Sequence, residues 1–190
     1  MFKLLRFGFC LILISFTTIV FADNGVDGFR GDKWGSKISS IHGLTEYVRK
    51  FDINGRQTGT FRVSESATKE KIGGARLKNE VHYFFDDNGY FYAVNGLTAD
   101  KDGDLLLEAF TGMFGNPTRI TTLQKSSDSY GSSLSEIRYV WIGKTVAVLN
   151  LKHRNLSGRL DNFATFHLID GKTKYSKDFL KARGVIPKVK

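Results

Sequence analysis

The chain has 190 residues and one cysteine, Cys10. That cysteine lies inside an apolar stretch, "FGFCLILISFTTIVF" (7–21). If the stretch is a leader and is cleaved off, the rest of the chain has no disulfide, thiolate nucleophile or cysteine-ligated metal open to it. No second hydrophobic run is long enough to cross a bilayer. The four histidines, His42, His82, His153 and His167, stand apart, and none forms H-x-x-x-H or H-E-x-x-H. There is no G-x-S-x-G elbow, no G-x-G-x-x-G turn and no phosphate loop ending in Lys-Ser/Thr. The reading therefore includes no cofactor, no metal and no catalytic residues.

The N-terminus does carry a signal. Lys3 and Arg6 precede the apolar stretch, Val20 and Ala22 put small residues where a signal peptidase reads, and Asp23 begins polar sequence. We expect residues 1–22 to be a signal peptide cleaved after Ala22, which sends the mature chain to the periplasm or the medium. Cys10 sits within the apolar run and not behind it, a poor place for lipid attachment. The 168 residues that follow suffice for one domain with its own core.

Charge is unevenly placed. Residues 171–190, "GKTKYSKDFLKARGVIPKVK", hold seven Lys/Arg and one Asp, while residues 23–170 are close to neutral. A basic C-terminal tail is thus expected beyond a body over 23–170. Lys172, Lys174, Lys177, Lys181 and Arg183 are its candidate anion contacts. For an exported chain the available polyanions are lipid headgroups or envelope polymers more than nucleic acid. Tyr175, Phe179, Leu180, Val185 and Ile186 interrupt the tail's charge. They predict a short helix from Ser176 to Arg183 that docks on the body and ends at Gly184 and Pro187.

Within the body, two Ser/Lys/Gly-rich stretches, 64–75 and 125–136, read as surface loops. "NEVHYFFDDNGYFYAVNG" (79–96) reads as a hairpin turning at Asn88-Gly89, with positive φ at both positions. That turn would set Phe85 opposite Tyr92, Tyr83 opposite Val94 and Val81 opposite Gly96. "RYVWIGKTVAVLNL" (138–151) predicts a second hairpin at Gly143-Lys144, with Trp141 facing Val146 and Tyr139 facing Val148. A strand is expected over 162–170, and an earlier strand pair around Asn54-Gly55. Leu105, Leu106, Ala109, Phe110, Met113 and Phe114 form a helical stripe, capped by Asp102 or Asp104 and stopped by Gly115 and Pro117. A shorter helix capped by Ser36 is expected over 36–42. The fold class is α+β: an antiparallel sheet of hairpins with one main helix and short flanking helices, the helices on one face.

Together "FRGDKWGS", "YFYAVNG", "LLEAFTGMFGNP", "YVWIGKTVAVLNL" and "FATFHLI" resemble a group of uncharacterised secreted or periplasmic bacterial proteins. That group has an F-x-x-x-x-W-G-[ST] start and a helix ending F/Y-G-x-P. Phe29, Trp34, Gly35, Gly115, Pro117 and Trp141 carry the resemblance. It implies export and an α+β fold, and brings no catalytic residues with it.

Three patterns invite sharper readings. Arg30-Gly31-Asp32 is an adhesion tripeptide, but Phe29 and Trp34 flank it with apolar anchors, which favours a structural turn. "DKDGD" (100–104) fails the calcium-loop register, since Leu105 or Ala109 falls where glycine or glutamate is needed; helix capping accounts for its aspartates. Tyr83, Phe84, Phe85, Tyr90, Phe91 and Tyr92 put aromatics on both hairpin faces, and Phe84 and Phe91 are the candidate ligand contacts. The reading that follows is an exported, non-catalytic binding or accessory protein of the bacterial envelope. Its partner would be an anionic envelope polymer, lipid headgroups or an envelope protein. The alternatives are a cell-wall or polymer hydrolase and a secreted adhesion or virulence factor.

Overall fold

A computed structural model describes residues 25–46, 60–64, 71–98, 102–125, 133–156 and 159–186. The expected leader, the Asn54-Gly55 turn and Asp100 lie outside them. A small hairpin, β1 (Gly28–Phe29) and β2 (Asp32–Lys33), leads into a 3-10 turn over Ile38–Ser40. Then come β3 (Leu44–Glu46), β4 (Thr60–Ser64), β5 (Lys71–Ile72), β6 (Ala75–Phe85) and β7 (Phe91–Thr98). Helix α1 (Gly103–Phe114) precedes β8 (Arg119–Lys125), β9 (Ser133–Ile142), β10 (Thr145–Leu156) and β11 (Arg159–Asp170), and α2 (Lys174–Ala182) follows.

The strands from β3 onward form one antiparallel sheet in the order β3-β4-β6-β7-β11-β10-β9-β8, with β5 paired to β6. The fold is α+β with hairpins and one main helix. The helices, however, cover opposite faces. Ala147, Leu149 and Leu151 of β10 share a core with Leu106, Phe110 and Phe114 of α1. The alternate residues Val146 and Val148 share a second core with Phe179 and Leu180 of α2.

The first face holds the larger core. Phe110 meets Phe114, Trp141 and Phe166 edge-on, with ring centroids 5.5, 5.7 and 6.0 Å away. Trp141 donates its Nε1–H to the Gly115 carbonyl at 2.8 Å, which ties β9 to the end of α1. Gly115 ends α1 with φ 75°, a backbone state that favours glycine.

Several local expectations change. At 86–90 only Gly89 has positive φ; the Asp86 carboxylate accepts from the Asn88 and Tyr90 N–H groups and closes a longer turn. Tyr83 pairs with Val94 as expected, but Phe85 pairs with Phe91, because Tyr92 is the extra residue of a bulge. A second irregularity between Lys78 and His82 takes Val81 out of the ladder. In the next hairpin Trp141 sits opposite Ala147, not Val146, and Tyr139 opposite Leu149. One more residue in the connection moves every β10 side chain to the other face relative to the expected register.

Asp102 flanks α1 without capping it. Its carboxylate instead accepts from the Arg76 backbone N–H at 2.7 Å and Nε at 3.3 Å. The backbone bond is the main reason its pKa lies below the usual carboxylate range. The expected 36–42 helix is reduced to the 3-10 turn, and Ser36 does not cap it. Part of the 64–75 stretch is a hairpin, β5 to β6 through Gly73-Gly74, and 133–136 belongs to β9.

Candidate functional site

The second face of the sheet changes character along its strands. In β10 it reads Val146, Val148, Asn150, Lys152; in β9, Val140, Arg138, Glu136; in β11, Ile169, His167, Thr165, Phe163. Helix α2 covers the apolar ends, and beyond its C-terminus the face is polar. Strand register sets these residues in rows. His82, Asn95 and His167 are cross-strand neighbours in one row. Leu97, Thr165, Asn150 and Arg138 make the next, and Phe163, Lys152 and Glu136 the third.

A groove of about 590 Å³ lies over these rows, lined by His82, Asn95, Gly96, Leu97, Lys152, Phe163, Thr165, His167 and Arg183. The rows beside it are cross-linked. Arg138 donates to Asn150 Oδ1 at 2.9 Å and to Glu136 Oε1 at 2.7 Å, and Asn150 Nδ2 donates to Thr165 Oγ1 at 3.2 Å. Lys152 Nζ lies 3.7 Å from Glu136 Oε2 and 5.5 Å from the centre of the Phe163 ring.

Arg183 reaches the groove from the end of α2. The helix closes with Gly184 at φ 66°, where the Gly184 N–H donates to Lys181 and the Val185 N–H to Leu180. Arg138 Nη1 donates to the Arg183 carbonyl at 3.1 Å, and Arg119 Nη1 to the Val185 carbonyl at 2.8 Å. Two strand cations thus satisfy the carbonyls behind the helix C-terminus. The Arg183 guanidinium lies 5.1 Å over the Phe179 ring and meets His167 Nε2 at 3.4 Å. Among the described residues no carboxylate is within ion-pair distance of it. Burial, and then Arg138, hold its pKa below the usual guanidinium value, with Glu136 acting against them.

His167 is 7% exposed, and its Nδ1 is the one buried side-chain polar atom without a partner among the described residues. Burial above all, then Arg183, Lys152 and Arg138, lower its pKa to about 3, so the ring is neutral near pH 7. Three cations (Arg138, Lys152, Arg183) and one carboxylate (Glu136) therefore meet beside an uncharged imidazole. Such a place attracts an anion, because a partly desolvated guanidinium without a counter-ion is costly.

The residues singled out in the sequence fall elsewhere, with one exception. Phe84 and Phe91 are 5% and 1% exposed and sit in opposite cores. Neither is an open stacking platform, because α2 covers one face of that hairpin and the larger core covers the other. Lys174 and Lys177 are exposed and Lys181 half-buried, away from Phe179 and Leu180, which face the sheet; Lys172 is exposed in the turn before α2. Arg183 alone lines the groove. His82 and His167 do come to one sheet, separated by Asn95. Lys152, Arg138, Asn95 and Thr165 were not singled out. Their signal was present: three strands switch from aliphatic to polar on the same alternate positions.

Arg30 and Gly31 form the two-residue turn between β1 and β2, with φ of 57° and 90°. Arg30 Nη1 donates to the Tyr83 hydroxyl at 3.2 Å. Asp32 is half-buried, and burial raises its pKa, opposed by Arg30 and His42. The arginine of the tripeptide is thus engaged with the body of the protein.

No family model, curated protein or solved structure matches this chain.

Proposed function

We propose that the chain is an exported, non-catalytic binding or accessory module of the bacterial envelope, and that it holds an anionic ligand in the groove beside α2. One observation carries the reading: Arg183 lines the groove against His167, near Lys152 and Arg138, with no carboxylate within ion-pair distance of it among the described residues. Export and the envelope rest on the leader-like N-terminus and on the resemblance to secreted and periplasmic proteins. Hydrolysis by a carboxylate pair finds less support. No described residue that lines the groove is a carboxylate, and Glu136 beside it is held by Arg138 and Lys152. Adhesion through residues 30–32 finds less support too, since Arg30 bonds to Tyr83.

The test is titration calorimetry with inorganic phosphate at low salt. Arg183→Gln should weaken binding at least fivefold, while Lys174→Gln with Lys177→Gln should leave it within twofold. The opposite pattern would move the anion site to the outer face of α2 and contradict the reading.

A further inference from the structure

Which anion the groove takes can be argued further from its lining, on the reading just given. A bare oxyanion is usually held by clustered backbone N–H groups or a helix N-terminus. Here the floor is the middle of a sheet, where β11 is laddered on both sides, to β7 and to β10. Recognition must come from side chains. These are of three kinds: the cations Arg183 and Lys152, the neutral hydrogen-bonding groups of Asn95 and Thr165, and the half-buried ring of Phe163.

A volume of about 590 Å³ falls in the range of about 300–1,000 Å³ typical of organic ligands, far more than an oxyanion fills. A lipid chain fits poorly, since Asn95 and Thr165 stand among the apolar lining groups. We propose that the ligand is an acidic saccharide, its carboxylate on Arg183 and Lys152, its hydroxyls on Asn95 and Thr165, and its C–H face against Phe163.

Each part of such a sugar then meets a matching group. The carboxylate supplies a counter-ion that no described residue gives Arg183, in the charge-assisted geometry guanidinium favours. Hydroxyls both donate and accept, as amide and threonine side chains require. His167 stands beside Arg183 as an uncharged wall of the groove.

The experiment is calorimetric titration of the full protein with two acidic sugars from different sources. Digalacturonate represents uronate polymers and N-acetylmuramate represents cell-wall sugar; their methyl esters and inorganic phosphate serve as controls. The proposal expects at least one acid sugar to bind tenfold or more tightly than its ester and than phosphate. Phe163→Ala should weaken that sugar at least fivefold and leave phosphate within twofold. Phe163→Leu, which keeps the apolar bulk without the ring face, should fall between, with thermal melting checking that each variant folds. Which sugar wins tells the source. Phosphate binding as tightly as both sugars, or indifference of the sugars to Phe163, overturns the saccharide while the anion groove stands. Absence of binding by every probe, phosphate included, overturns both.

Discussion

Replacing His167 by leucine should make the protein more stable, although the residue is buried in the centre of the sheet. The imidazole is 7% exposed, its Nδ1 has no partner, and its Nε2 meets Arg183 only at 3.4 Å. A buried polar atom left unpaired costs about 1–3 kcal/mol. His167→Leu removes that cost, leaves Arg183 half in solvent, and keeps an apolar contact with the Phe179 ring, whose centroid is 5.0 Å away. We expect a gain of about 1 kcal/mol at pH 7 in urea unfolding.

The pH dependence is sharper still. His167 has a pKa of about 3 in the folded protein against 6.5 when unfolded. Between those values the unfolded chain binds the extra proton, so this group's contribution is fully present above about pH 6.5 and is lost as pH falls. The groups facing it are Arg183 from α2, Lys152 from β10, Arg138 and Glu136 from β9, and His82 from β6 across Asn95. The three cations oppose protonation. At about 1.4 kcal/mol per pH unit once the unfolded histidine is charged, wild type should lose about 2 kcal/mol from pH 7 to pH 5 through this group. The leucine variant should lose none of it. Equal stabilities at pH 7 together with parallel pH curves would contradict this, because His167 would then be partnered or able to charge.

Other perturbations test the fold that positions the groove. Phe110→Ala should cost about 3–5 kcal/mol, since it empties the junction of α1, Trp141 and Phe166; urea unfolding reads it. Gly73→Ala should cost about 1 kcal/mol or more, because φ is 56° and the new methyl would meet the Ala109 side chain of α1; a lowered melting temperature would show it. Phe179→Ala should destabilise by about 3 kcal/mol and speed hydrogen exchange at the α2 amides before those of β10. Unchanged exchange in α2 would show that Phe179 does not hold the helix.

Much of the fold could be read from local pattern. The stripe Leu106, Phe110, Phe114 and the stop at Gly115 locate α1 because helical period and a positive-φ glycine are local properties. The Tyr83–Val94 pair follows from the aromatic run and the Asn88-Gly89 signal. What failed depends on single inserted residues. The Tyr92 bulge and the extra residue after Trp141 each reverse which side chain faces which core, and neither has a signature in composition. The site was harder to see for the same reason. Arg183 stood out as one cation among seven in a basic stretch. Only register shows that Asn150, Lys152, Thr165, His167, Arg138 and Glu136 share one face, from strands joined in the order β11-β10-β9. Aromatics near a turn suggested exposure at Phe84 and Phe91, yet burial of large rings on both faces is the commoner use of such strands.

On the proposed function, anions enter the groove beside α2 and do not bind the lysine-bearing outer surface of that helix. Backbone amide chemical shifts recorded while inorganic phosphate is added test it most directly. The prediction is saturable change at Asn95, Thr165, His167 and Arg183, weakened in Arg183→Gln. Changes confined to Lys172, Lys174 and Lys177, with the groove amides still, would contradict it.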